Sequence, residues 1–142
     1  MASDPIPMAP ALARELDQLG LAFLTEFLET ELGRHPNNIE ALTELGHAYT
    51  RQGLIESGLA IDRRLALLAP DDPNVHYNLA CSLALSGDPD AALRSLSDAI
   101  ERGYDDPEFM SQDEDLAGLR GDERFLALVK RLRERAIGGQ IP

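Results

Sequence analysis

Apolar residues between Ile39 and Asp106 recur at three- and four-residue spacing, the period of helices that bury one face. The pattern comes twice, over residues 39–72 and 73–106, so this stretch reads as one 34-residue unit written two times. The copies share Leu45/Leu79, Gly53/Gly87, Asp71/Asp105 and Asp72/Asp106, and keep size class at Gly46/Ala80, Tyr49/Leu83, Gly58/Ala92, Leu59/Leu93 and Leu65/Ala99. A period of this length predicts a stacked helical solenoid, because one such unit cannot bury its apolar face alone.

Turn residues divide each unit into two antiparallel helices, near 39–51 with 55–68 and near 74–86 with 89–102. Asn38, Asp72, Asp88 and Asp106 stand where a helix N-cap offers an oxygen to unpaired backbone N–H groups. Pro73, Pro89 and Pro107 each follow such an Asp, at the first helical position, where a missing N–H costs nothing. Gly53 and Gly87 close the first helix of each pair. The small residues Gly46, Ala80, Gly58 and Ala92 predict close helix crossings.

The flanks are less regular. Residues 1–10 read as a flexible lead-in. Residues 11–36 read as a degenerate first repeat, with apolar Leu12, Leu16, Leu19, Phe23, Phe27 and Leu28, and with Gly20 splitting the helix in two. Pro36 ends it, since the residue before proline leaves helical geometry. Residues 105–115 read as an acidic, turn-rich segment within a closing segment, 107–136. Its last helix, Asp122 to Ala136, sets Phe125, Leu128, Val129 and Leu132 on one face as the cap a solenoid needs. Lys130, Arg131, Arg133 and Arg135 suit the negative end of that helix, and 137–142 form a tail. The expected fold is one all-α domain over 11–136, a right-handed helical-hairpin solenoid of about six or seven helices.

Charge narrows the range of partners. The chain has 142 residues, with 13 Lys plus Arg against 25 Asp plus Glu, for a net charge of −12. That balance opposes nucleic acid and anionic membranes, both of which need cations on the protein. It favours a basic or neutral protein partner over an acidic one. One cysteine, Cys81, rules out an internal disulfide and suits a reducing compartment. With no signal-peptide pattern at the start, the expected location is cytoplasmic.

Leu45-Gly46, Tyr49, Gly53, Gly58, Leu65 and Pro70, then Leu79-Ala80, Leu83, Gly87, Ala92 and Ala99, together resemble the tetratricopeptide repeat. The resemblance covers residues 37–106, more loosely 11–36, and the tail FMSQDEDLAGLRGDERFLALVKRL is similar to segments that close bacterial proteins of this type. Asp62 departs from the pattern, standing where the family has a large apolar residue, and suggests local repacking or an exposed edge. Tyr104 replaces the proline seen at Pro70.

The resemblance implies a concave groove, lined by one face of each first helix, that holds a partner segment. Carried over, that face is Glu40, Thr43, His47, Thr50 and Arg51, then Asn74, Tyr77, Asn78, Cys81, Ala84 and Leu85. Helical spacing independently sets Glu40, Thr43, His47 and Thr50 opposite the Leu42, Leu45 and Tyr49 stripe. Tyr77 is the expected aromatic anchor. Some members clamp a carboxylate terminus with Lys and Asn; Asn78 matches one such position, but Thr43 and His47 replace the others, so the main cation is missing.

Other chemistry is weakly supported. His47 and Cys81 stand one repeat apart, yet a nucleophile–base or zinc reading finds no third residue. His76 reads as a packing or capping residue and His35 as a surface one. The acidic run lacks the spacing of a calcium loop. The expected function is a non-enzymatic interaction module, without metal, cofactor or membrane insertion, that binds a peptide or helix of a partner. Self-assembly through the repeats is the alternative.

Overall fold

The computed structural model describes residues 7–139. Among them are seven α-helices and one 3-10 helix: α1 Pro10–Arg34, α2 Ile39–Arg51, α3 Ile55–Leu68, α4 Pro73–Leu85, α5 Pro89–Glu101, α6 Pro107–Gln112, the 3-10 helix Glu114–Leu119, and α7 Glu123–Gly138. Neighbouring helices α1 to α5 pack on one another in chain order, an all-α solenoid of helical hairpins. The last three elements fold back on α4 and α5. No helix among the described residues is long and apolar enough to cross a membrane.

Local chemistry sets the element ends. Asn38, Asp72, Asp88 and Asp106 accept backbone hydrogen bonds from Ala41, Asn74, Ala91 and Phe109 at 2.9–3.1 Å. Asp113 and Asp122 cap the 3-10 helix and α7 in the same way. Three glycines, Gly53, Gly87 and Gly103, adopt positive φ of 78°, 87° and 113°. At each, the following N–H reaches back to the carbonyl five residues earlier: Leu54 to Tyr49, Asp88 to Leu83, Tyr104 to Ala99. That wrap satisfies helix-end carbonyls and needs the left-handed geometry glycine adopts without strain.

The main core runs from Leu59 through Ala80, Leu83, Leu96 and Ile100 into Met110, Leu116, Leu119, Phe125 and Val129. Smaller clusters join α1 to α2 through Leu28, Ala41 and Leu45, and α2, α3 and α4 through Leu42, Leu65 and Val75. The closing segment thus shares the core of the second repeat.

Several expectations need correction. Gly20 does not split α1, which runs unbroken for 25 residues; glycine in a helix interior costs only about 1 kcal/mol, too little alone to break it. The first repeat is one helix, since only α1 precedes α2 among the described residues, and Pro10 already belongs to it. α7 runs on through Gly138, into the expected tail at 137–142; residues 1–6 of the lead-in and 140–142 of the tail lie outside the described residues. Residues 107–112 and 114–119 are helical, not a loose acidic turn, because Met110, Leu116 and Leu119 are buried and pull the segment onto α4. Asp62 is buried, not at an exposed edge.

Candidate functional site

α2 and α4 present their polar faces side by side, and the closing segment walls one end, leaving a groove of about 1080 Å³. The groove takes in Thr43, His47, Thr50, Arg51, Asn74, Tyr77, Asn78, Cys81 and Leu85, nine of the eleven residues predicted for it; Ala84 is not among its lining. Glu40, at the start of α2, does not line it.

Tyr77 is not the free anchor the sequence suggested. Its side chain is buried, with its hydroxyl donating to Asp113 Oδ2 at 2.7 Å and its ring stacked on Tyr104, 4.5 Å away and 7° from parallel. The loop before α6 and the start of the 3-10 helix thus cover the Tyr77 ring and hydroxyl. This stacking also explains Tyr104 in place of a proline. Phe109 on α6, 6.0 Å from the Tyr77 ring and 56% exposed, is the accessible aromatic at the rim.

Cys81 is likewise buried, and its thiol donates to the same Asp113 oxygen at 3.7 Å. Burial, then the charge of Asp113, pushes the thiol pKa well above its ordinary value, which opposes the thiolate that a nucleophile or metal ligand needs. Cys81, Asp113 and Asp115 bring ligand atoms within 4.8 Å of one another. Asp113 already accepts two hydrogen bonds there, from Tyr77 and Cys81, so the cluster reads as a hydrogen-bonded lock between α4 and the 3-10 helix. His76 Nε2 donates to the Pro70 carbonyl, 2.6 Å away, and His35 pairs with Glu31 on the surface.

Asp62 is the unforeseen member of the groove. It comes from α3, yet lines the groove because Gly46 on α2 leaves room: a Cβ there would stand 3.1 Å from Asp62 Oδ1. Ser82 on α4 donates to Oδ2 at 2.5 Å. Burial raises the Asp62 pKa, against the lowering effects of Ser82 and of His47. Burial and the neighbouring Asp113 raise that of Asp115.

The lining is strongly acidic. Glu44, Asp62, Asp105, Asp106, Asp113 and Asp115 face Arg51 as the one Lys or Arg among the described lining residues. Low-dielectric walls focus such a field and concentrate cations. Sequence reasoning missed Asp62 and the residues of the closing segment. The available signals were Gly46 and Ser82, small enough to admit a side chain from α3, and the three-residue step from Leu116 to Leu119, the period of a 3-10 helix.

No protein-family model matches the chain, and no curated protein matches it in sequence.

Proposed function

We propose that the chain is a non-enzymatic interaction module of the tetratricopeptide-repeat kind, and that its groove receives a basic segment of a partner protein. The observation carrying this reading is the groove's charge, six carboxylates against one Arg, on the face where the repeat pattern predicted binding. Asp62 and Asp115 supply charge from the floor and Glu44 and Asp105 from the exposed rim. Phe109 offers apolar contact beside them, replacing the occupied Tyr77. A cytoplasmic setting suits the lone buried thiol, free in Cys81.

The test uses two labelled peptides of equal length, one alternating Lys with Leu and one alternating Glu with Leu, followed by fluorescence anisotropy. Only the Lys peptide binds, and its affinity falls as salt rises. The double substitution Glu44→Lys, Asp105→Lys weakens it at least about tenfold, since both side chains are exposed and their reversal repels the ligand. Equal binding of both peptides, or unchanged affinity in the double variant, refutes the reading.

A further inference from the structure

α1 is apolar on two opposite faces. Leu28 and half-buried Leu32 pack toward α2 and buried Leu21 shares their side of the helix, while Leu12, Leu16, Leu19, Phe23 and Phe27 face solvent at 48%, 48%, 65%, 75% and 68% exposure. From Pro10 to Gly20 no side chain is buried, so nearly half of the helix projects beyond the body. A projecting helix turn gains little stability in water without something to pack on.

We propose that this face pairs with the same face of a second copy, antiparallel, about a two-fold axis between Leu19 and Gly20. The spacing along this face, taken with Gly20, is palindromic: steps of four and three lead from Leu12 through Leu16 to Leu19, and steps of three and four from Gly20 through Phe23 to Phe27, with Leu24, 38% exposed, to one side of it. On a helix those positions lie symmetrically about one line. Antiparallel pairing therefore sets Leu12 against Phe27, Leu16 against Phe23, and Leu19 over Gly20 of the other copy. An interface that uses one patch twice must be self-complementary in this way.

Gly20 gains a purpose in this arrangement. In the isolated chain a Cβ there meets nothing within 4 Å, so no contact within the chain requires glycine at a position where it weakens the helix. Across the two-fold axis it becomes the hole that admits Leu19. The area fits as well. At about 200 Å² for each phenylalanine and less for each leucine, the five exposed residues offer roughly 500 Å² of apolar surface, in the upper part of what a monomer usually exposes, about 300–600 Å². A stable dimer interface takes about 800 Å² from each partner, some 65% of it apolar in homodimers.

Each copy carries a net charge of −12, so the copies repel and association tightens as salt rises. That is the opposite of the groove's expected response to salt, so the two proposals stand or fall separately.

Sedimentation velocity on the full chain tests it. Wild type reaches twice the 15.5 kDa chain mass at concentrations up to about 100 μM. Phe23→Glu remains a monomer whose body still unfolds cooperatively, because the replaced side chain is 75% exposed and touches no core residue. Gly20→Met, which fills the hole, also remains a monomer while melting no lower than Phe23→Glu, since methionine favours the helix over glycine. In a Cys81→Ser background, Leu12→Cys and Phe27→Cys chains cross-link with each other on mild oxidation and neither cross-links with itself. A wild type that stays at 15.5 kDa, a dimer that persists in Phe23→Glu or Gly20→Met, or self-cross-linking of either cysteine variant overturns the proposal.

Discussion

A carboxylate at position 62 is buried because its neighbours are small, and its energetics follow from that placement. One oxygen is satisfied by Ser82, while desolvation penalises the charge. The folded-state pKa is raised above the unfolded value of 3.8. The folded chain therefore holds this proton more tightly, and the resulting stabilisation, complete below the unfolded pKa, is lost as pH rises through the folded one. Asp62→Asn removes that loss. Its melting temperature relative to wild type should climb as pH rises above the unfolded value of 3.8, as calorimetry at several pH values would show. A difference that does not vary with pH would mean Asp62 is not strained by burial. Gly58 is constrained by space instead: a Cβ would stand 2.9 Å from Thr50 Oγ1 and 3.4 Å from the Gly46 carbonyl. Gly58→Ala should cost about 1–3 kcal/mol in denaturant unfolding. Gly87→Ala meets no atom but adopts φ of 87°, and should cost about 1–2 kcal/mol.

At the scale of elements, α2 to α5 were legible because their ends carry explicit chemistry: an Asn or Asp cap on α2, α4 and α5, a proline after two of these caps, and for α3 the boundaries at Gly53 and Pro70. Their observed limits fall within a residue or so of the expected ones. The closing segment was legible only at α7, where apolar residues recur at helical period. α6 and the 3-10 helix are each six residues long, too short for periodicity to separate them from a charged loop. What fixes them is tertiary: buried Met110, Leu116 and Leu119, and the Asp113 bridge to Tyr77 and Cys81. That distance in sequence is also why the groove face was predicted residue by residue while its blocked end was not. Asp113→Ala leaves the Tyr77 hydroxyl without its partner and should destabilise by about 1–3 kcal/mol. Asp113→Asn, which keeps an acceptor oxygen, should cost less; equal loss in both would mean the charge, not the hydrogen bond, holds the segment.

For the whole molecule, two repeats alone make a thin solenoid, and the flanks complete it from both ends. The closing segment enters the main core, with Phe125 only 1% exposed, so Phe125→Ala should cost about 3–5 kcal/mol. α1 covers the other end through Leu28 against Ala41 and Leu45, and deletion of residues 1–36 should lower the melting temperature. What remains open is a groove whose acidity matches the charge of the whole chain. An amide-resolved NMR titration with the alternating Lys–Leu peptide tests binding there most directly. The account predicts shifts at Thr43, His47, Asn74 and Asn78 that shrink at high salt and as pH falls through the raised pKa values of Asp62 and Asp115. Shifts confined to the opposite faces on α3 and α5, or none at all, would contradict it.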